Sequence, residues 1–337
     1  MCKDCGVNWF AVFGWTICFT FFGGNLAGSQ ANNLTITDDG KGLVFKADGN
    51  PIIRYNYSPY SEGRSETPDP APVYLKRSGN IHPIWSPDGQ ILTEIFPQSH
   101  SHHLGIWGAW VKTRYKGESY DFWNLKKDDE EELIQFEAFE WIDKDGGSAV
   151  GFKANHIYLI ESDGESQKVM RESLTVQVSV IQEKYLIDYK LEQEWLMEEP
   201  LTLLQHRYGG PIAWRYPSNW KDSSVLVVSP DGKEQRSDQK TGVDATNARW
   251  LKVHGSENDT MAGFLIMSHP DNFRHPEPLR VLHDGPGNGG YVHFSPIRQE
   301  AWKLEKGEKH TFRFRICTYD GILEPSKAEA IWQNYIN

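Results

Sequence analysis

The runs "SLTVQVSVI" at residues 173–181 and "KYLIDYKLEQEW" at 184–195 alternate apolar with polar side chains at a period of two. Successive side chains of an extended chain point to opposite faces, so such runs make strands with one buried face; a helix would scatter the apolar positions around its circumference. The same alternation, or a short apolar run, returns in "LTIT" (34–37), "GLVFKA" (42–47), "PIIRYNY" (51–57), "SSVLVVS" (223–229), "GFLIMS" (263–268), "YVHFSP" (291–296) and "HTFRFRICTYDG" (310–321). Between them lie turn signals: "DDGKG", "ADGNP", "SPDGQ", "ESDGES", "SPDGK" and "HDGPGNGG". This spacing predicts an all-β chain folded as a large antiparallel β-sandwich. Helical spacing is confined to two places. One is "LKKDDEEELIQFEAFEW" (125–141), whose acidic run reads as a solvated face, and the other is "EPSKAEAIWQNYIN" (324–337), which reads as a short closing helix.

The chain has 337 residues, 39% of them hydrophobic and 24% charged, enough to bury a full core in one large domain. Aromatic residues make up 13% of it, which suits broad strands and also suits platforms for stacking sugars. A formal net charge of −11 argues against nucleic acid or an anionic membrane as partner, since both need a basic surface. A small acidic substrate requires only that the site itself be locally positive.

Trp9 to Gly24 is an almost uninterrupted apolar stretch, short for a bilayer span, with Ser29 and Ala31 at positions suited to cleavage. Residues 1–31 therefore read as a secretory signal, leaving 32–337 as a single sandwich domain in the periplasm or outside the cell. An uncleaved anchor is the alternative. Cys2, Cys5 and Cys18 leave with the signal, so Cys317 stays alone as a buried thiol and no intramolecular disulfide can form.

Nine of the twelve histidines gather in a few polar clusters. In "HSHHLGIW" (100–107) an extended chain would put His100 and His102 on one face and His103 on the other, whereas a bend would bring all three together. The cluster has three readings. His100 and His102 could hold a divalent metal with a third ligand such as Glu94, the imidazoles could act directly as acid, base or donor, or the turn could be satisfied by its own backbone. In "QHRYGGPIAWR" (205–215), a strand would pair His206 with Tyr208 and Gln205 with Arg207 until Gly209 and Gly210 interrupt it. "HPDNFRHP" (269–276) adds Arg274 and His275 in a proline-bounded loop, and "HDGPGNGGYVHF" (283–294) adds His283 and His293.

The blocks "IHPIWSPDGQILTEIFPQSHSHHLGIWGAW", "HRYGGPIAWR", "GFLIMSHPDNFRHP" and "VHFSPIRQEAWKLEKGEKHTFRFRICTYDG" resemble, in order and over about residues 75–322, the bacterial PmoA-like family, a domain of unknown function whose label alludes to methane oxygenase. The label is set aside, because such an oxygenase subunit spans the membrane many times and the mature chain has no apolar run near 20 residues. The resemblance implies a β-supersandwich like that of galactose mutarotases and several polysaccharide lyases, and an association with carbohydrate use.

Three chemistries compete on that scaffold. An aldose 1-epimerase would need a late carboxylate, for which Glu300 and Glu305 are available but in no recognisable pattern. Two-carboxylate glycoside hydrolysis finds no convincing Asp/Glu pair in the polar clusters. β-Elimination from a uronic acid needs a cation or amide for the carboxylate, a base of moderate pKa and an acid for the leaving oxygen, and this chain concentrates those residue types. The reading is therefore an exported lyase or dehydratase acting on anionic, uronate-containing oligosaccharides. His206, Tyr208, His103 and His100 are its candidate catalytic groups. Arg207, Arg215, Gln205, Trp107, Trp214, Arg274, His275 and His293 are its candidate substrate contacts, with core packing the alternative for at least one tryptophan. No cofactor is required, and a metal at His100 and His102 is left open. A mutarotase-like isomerase and a non-catalytic sugar-binding protein are the rival readings.

Overall fold

The two alternating runs fall on the strands Glu165–Ile181 and Lys184–Trp195, which pair antiparallel from Met170 opposite Trp195 to Ile181 opposite Lys184. The computed structural model describes residues 33–59, 76–125, 132–143, 147–162 and 164–337. The signal reading for 1–31, with Cys2, Cys5 and Cys18, lies outside the described residues, as does the acidic run 126–131.

Residues Asn32–Asn337 form one compact unit built on two nine-stranded sheets. The first runs Leu34–Asp38, Gly42–Ala47, Asn50–Asn56, Asn80–Ile84, Ile106–Ala109, Gly210–Tyr216, Gly290–Phe294, Glu277–His283 and Asn247–Ala248. The second runs Glu234–Arg236, Leu226–Val228, Trp250–Glu257, Thr260–Ser268, Lys309–Asp320, Lys184–Trp195, Glu165–Ile181, Ala149–Ser162 and Glu132–Ile142. A four-stranded sheet of short strands, Trp302–Leu304, Leu201–Leu203, Thr113–Tyr115 and Glu118–Tyr120, completes the set. Neighbouring strands run antiparallel, and the protein is an all-β sandwich with one C-terminal helix.

The core lies between the large sheets. Trp214 of the first stacks on Phe264 of the second at 3.9 Å and 11°, and Phe294 meets Phe314 at 5.4 Å. Rings of this size, fully buried, each contribute about 3–5 kcal/mol against truncation to alanine. Cys317 is fully buried, and burial pushes its thiol up to about 12, so it is inert.

The helical spacing of 125–141 gives way to a strand, Glu132–Ile142, paired with Ala149–Ser162. A β-bulge between Phe136 and Ala138 inserts one extra residue, so Phe136 and Phe139, three apart, stay on one face, their rings 6.3 Å from each other and both against Tyr57. A spacing of three that looks helical in sequence is thus produced by a bulged strand. The closing helix forms as expected at Pro325–Ile336, where Trp332 donates to the Ser268 carbonyl and Arg249 pairs with Glu329. Among the described residues no helix is long and apolar enough to cross a membrane.

Register decides what the first sheet presents away from the core. Trp107 opposes Ala213, Ala213 opposes His293 and His293 opposes Arg280; in the next row but one Arg215 opposes Tyr291 and Tyr291 opposes Leu282. Directly opposed residues share a face, and residues two apart share it too. Trp107, Arg215, Tyr291, His293 and Arg280 therefore stand on one face, while Trp214, Val292 and Phe294 point the other way into the core.

Candidate active site

The histidine run is a bend. His100 N–H donates to the Pro97 carbonyl and His103 N–H to the His100 carbonyl, two successive turns closed by Phe96 N–H on the His103 carbonyl. The three rings therefore gather: His100 stacks on His103 at 4.7 Å, His102 meets His103 edge-on at 4.7 Å, and His100 lies 5.9 Å from His102. Gly105 lets the chain leave the bend. Its φ is +71°, and a Cβ there would sit 2.5 Å from the Ile81 carbonyl oxygen. From Gly105 the backbone bonds Arg215, whose own carbonyl accepts from Glu94, so bend and Gly210–Tyr216 strand are locked together.

Behind the bend lies a buried ionic group. Arg215, fully buried, donates to Asp284 and to the Asn288 carbonyl and reaches Glu94 at 3.4 Å. His100 Nδ1 sits 2.9 Å from Asp284 Oδ2, an ion-pair approach whose angle falls short of an in-line hydrogen bond, and Ser99 donates to the same oxygen. Burial alone would raise the Asp284 carboxyl, but His100 and Arg215 hold it below its ordinary value. Burial, then the neighbouring His100 and Arg215, bring His102 down to about 4, and burial holds His103 well below its ordinary value. Both imidazoles are neutral at neutral pH.

His103 is nearly sealed, between Trp107 at 4.7 Å and Tyr291 at 4.9 Å, and so forms a wall of the site more than its exposed surface. Trp123 carries the aromatic wall onward, 6.4 Å from His103 and 5.5 Å from Tyr208. Tyr208 lies 4.5 Å from His206, and Gln205, His206, Arg207 and Arg298 line an open depression of about 420 Å³. Gly209, at φ +106°, turns the chain out of this loop, where a Cβ would press on Val111 at 2.8 Å. The segment 204–209 is thus a loop between two strands, and Arg207 lines the same depression as His206. Burial lowers the His206 pKa, and Lys112 and Arg207 add repulsion. Arg280 and Arg298 share Asp244, and Arg280 restrains Tyr291, whose phenol burial pushes up to about 12.

The bend and the 205–215 segment therefore meet on one face, joined through Trp123. Other sequence candidates lie differently. Trp214 belongs to the core, its Nε1–H on the Leu92 carbonyl. His293 is fully buried, with Nε2 accepting from Gly209 N–H and Nδ1 beside the Ile212 carbonyl, so neither nitrogen is left for a ligand. Arg274 ties the Pro296, Glu300 and Ala301 carbonyls and pairs with Glu300, while His275 bonds Ser268 beside Glu277; their contacts hold a loop. A metal on His100 and His102 would need a third donor, and among the described residues no three His, Cys, Asp or Glu side chains are placed to hold an ion.

Sequence reasoning passed over Asp284, Trp123, Tyr291, Arg280 and Arg298. Tyr291 was reachable, because it stands two residues from His293 in an alternating strand. Asp284 sits in "HDGPGNGG", where a turn reading accounts for an aspartate without calling on a partner.

No curated protein matches the chain. Among solved structures, a GH36 alpha-galactosidase from Geobacillus stearothermophilus is similar at 11% identity and a TM-score of 0.40, covering 85% of this chain and 40% of its own. An alpha-galactosidase from Lactobacillus brevis stands at 10% and 0.41, covering 86% and 39%. A polysaccharide lyase stands at 12% and 0.33, covering 87% and 33%. The chain thus spans two fifths or less of the length of these structures. The model of one family covers most of the chain, residues 42–333, and by it the protein belongs to DUF6807, a family of unknown function.

Proposed function

We propose that the protein is a carbohydrate-active enzyme that performs β-elimination on uronate-containing oligosaccharides, a reading that keeps the PmoA-like kinship and export through a cleaved leader as parts of it. The observation that carries it is the depression lined by His206, Arg207 and Arg298, where Lys112, Arg207 and Arg280 repel a charge on the imidazole and Asp121 favours it, while Asp244 is shared by Arg280 and Arg298, on a chain whose net charge is −11. A locally positive depression on an acidic protein suits an anionic sugar.

The chemistry follows from the residue types. Arg207 would offset the substrate carboxylate, which acidifies the C5–H beside it, with Arg298, itself paired with Asp244, lining the same depression. His206, its pKa lowered and so neutral, would take that proton. As the C5–H bond breaks and the C4–C5 double bond forms, the C4–oxygen bond breaks, and Tyr208, 4.5 Å from His206 ring to ring, would hand its proton to the leaving oxygen. The leaving group decides the type: a sugar makes the enzyme a lyase, water from a free hydroxyl makes it a dehydratase.

The test is incubation of purified protein with a panel of uronic oligosaccharides while following the ultraviolet absorbance of the conjugated product. Absorbance should rise with the native protein and fall by about 10²–10⁴-fold in rate with His206→Ala and with Tyr208→Phe. Binding without new absorbance across the panel would overturn the elimination and leave a sugar-binding protein.

A further inference from the structure

Of the three imidazoles in the bend, only His100 is paired with a carboxylate among the described residues, Asp284 Oδ2 at 2.9 Å from Nδ1. Asp284 is only 4% exposed and is anchored by Arg215, which is itself fully buried. An ionised carboxylate accepts and cannot donate, so a nitrogen at that distance must carry the proton, since two lone pairs would repel. Nδ1 is buried, while the ring as a whole is 32% exposed, so the other edge faces outward. The remaining charged and titratable neighbours are His102, His103 and, through Arg215, Glu94.

We propose that Asp284 is a positioning residue that keeps the proton on His100 Nδ1 and so presents the Nε2 lone pair to a ligand at the exposed edge of the ring. In that state Nε2 can accept a hydrogen bond from a hydroxyl of a bound sugar, while the C5 proton goes to His206 and the leaving oxygen takes its proton from Tyr208. Glycines 285, 287 and 289, all at positive φ, fold the loop back so that the Asn288 carbonyl also bonds Arg215, which fixes Asp284 in place. The role in substrate binding rests on the reading of this face as the sugar site, while the tautomer does not.

The experiment is nitrogen-15 NMR of the full chain with labelled histidine, assigning His100 by its loss in His100→Gln. The native protein should show the proton on Nδ1, Asp284→Asn should abolish that preference, and Asp284→Glu should restore it. A native His100 protonated on Nε2 would overturn the proposal without any variant, so a folding failure in Asp284→Asn leaves it decidable. On a uronate substrate Asp284→Asn should raise KM several-fold with kcat little changed, the signature of a lost ground-state contact. Failure of every substrate in the panel sinks the elimination, whereas the wrong tautomer sinks the role of Asp284 whatever the turnover.

Discussion

Arg215 and His293 show how a single side chain is read by its partners. The sequence offers Arg215 as a substrate contact, but its partners in the fold are the protein's own carboxylates, those of Asp284 and Glu94. Replacing it with methionine would keep its length and strand two acids, one of them nearly buried. Breaking a buried pair costs about 3–5 kcal/mol, so Arg215→Met should move the urea midpoint sharply downward. His293 is neutral in the fold, burial bringing it down to about 3. Unfolded, it takes a proton near 6.5. Below that pH the unfolded chain binds more protons than the native one, so the stability His293 contributes is complete above about 6.5 and is lost as pH falls toward 3, at about 1.4 kcal/mol per pH unit. His82, His102, His254 and His283, each held near 4 by burial, act in the same direction. Denaturation midpoints measured from pH 7 to pH 4.5 should fall throughout, and a flat profile would contradict the buried neutral histidines.

At the scale of elements, two devices bring the site together. One is the double turn at 97–103, closed by bonds within residues 96–103, which an alternation rule cannot anticipate because it assumes an extended chain. The other is the passage at Gly105. Gly105→Ala should destabilise the fold by about 1–3 kcal/mol, since its φ is positive and the added carbon meets a backbone oxygen that cannot swing aside. The C-terminal helix is held by Trp332, which packs in the cluster of Trp250, Leu265, Met267 and Cys317. Trp332→Ala should cost about 3–5 kcal/mol, visible as a drop in Tm. The closing helix was legible because about three turns of local spacing suffice to define it. The strand Glu132–Ile142 was not, because its bulge mimics helical spacing and only pairing with Ala149–Ser162 resolves the two.

At the scale of the molecule, the charge distribution is the quantity to test. The cations Lys112, Arg207 and Arg280 gather by His206 on a chain of net charge −11. Arg207→Ala should raise KM for an anionic oligosaccharide several-fold, and the native KM should rise with ionic strength, because exposed charges are screened within about 10 Å at 0.1 M salt. A KM indifferent to salt would argue for a neutral sugar. Period-two alternation was sufficient for the all-β class, since a strand's facing is set by its own neighbours along the chain, and helical spacing marked the closing helix. Tertiary structure alone decided which polar residues meet. Opposed positions in antiparallel strands set Arg215 beside Tyr291 and a loop set Asp284 against His100, partners 184 residues apart that no local pattern couples, because their contact depends on the pairing of strands distant in the chain.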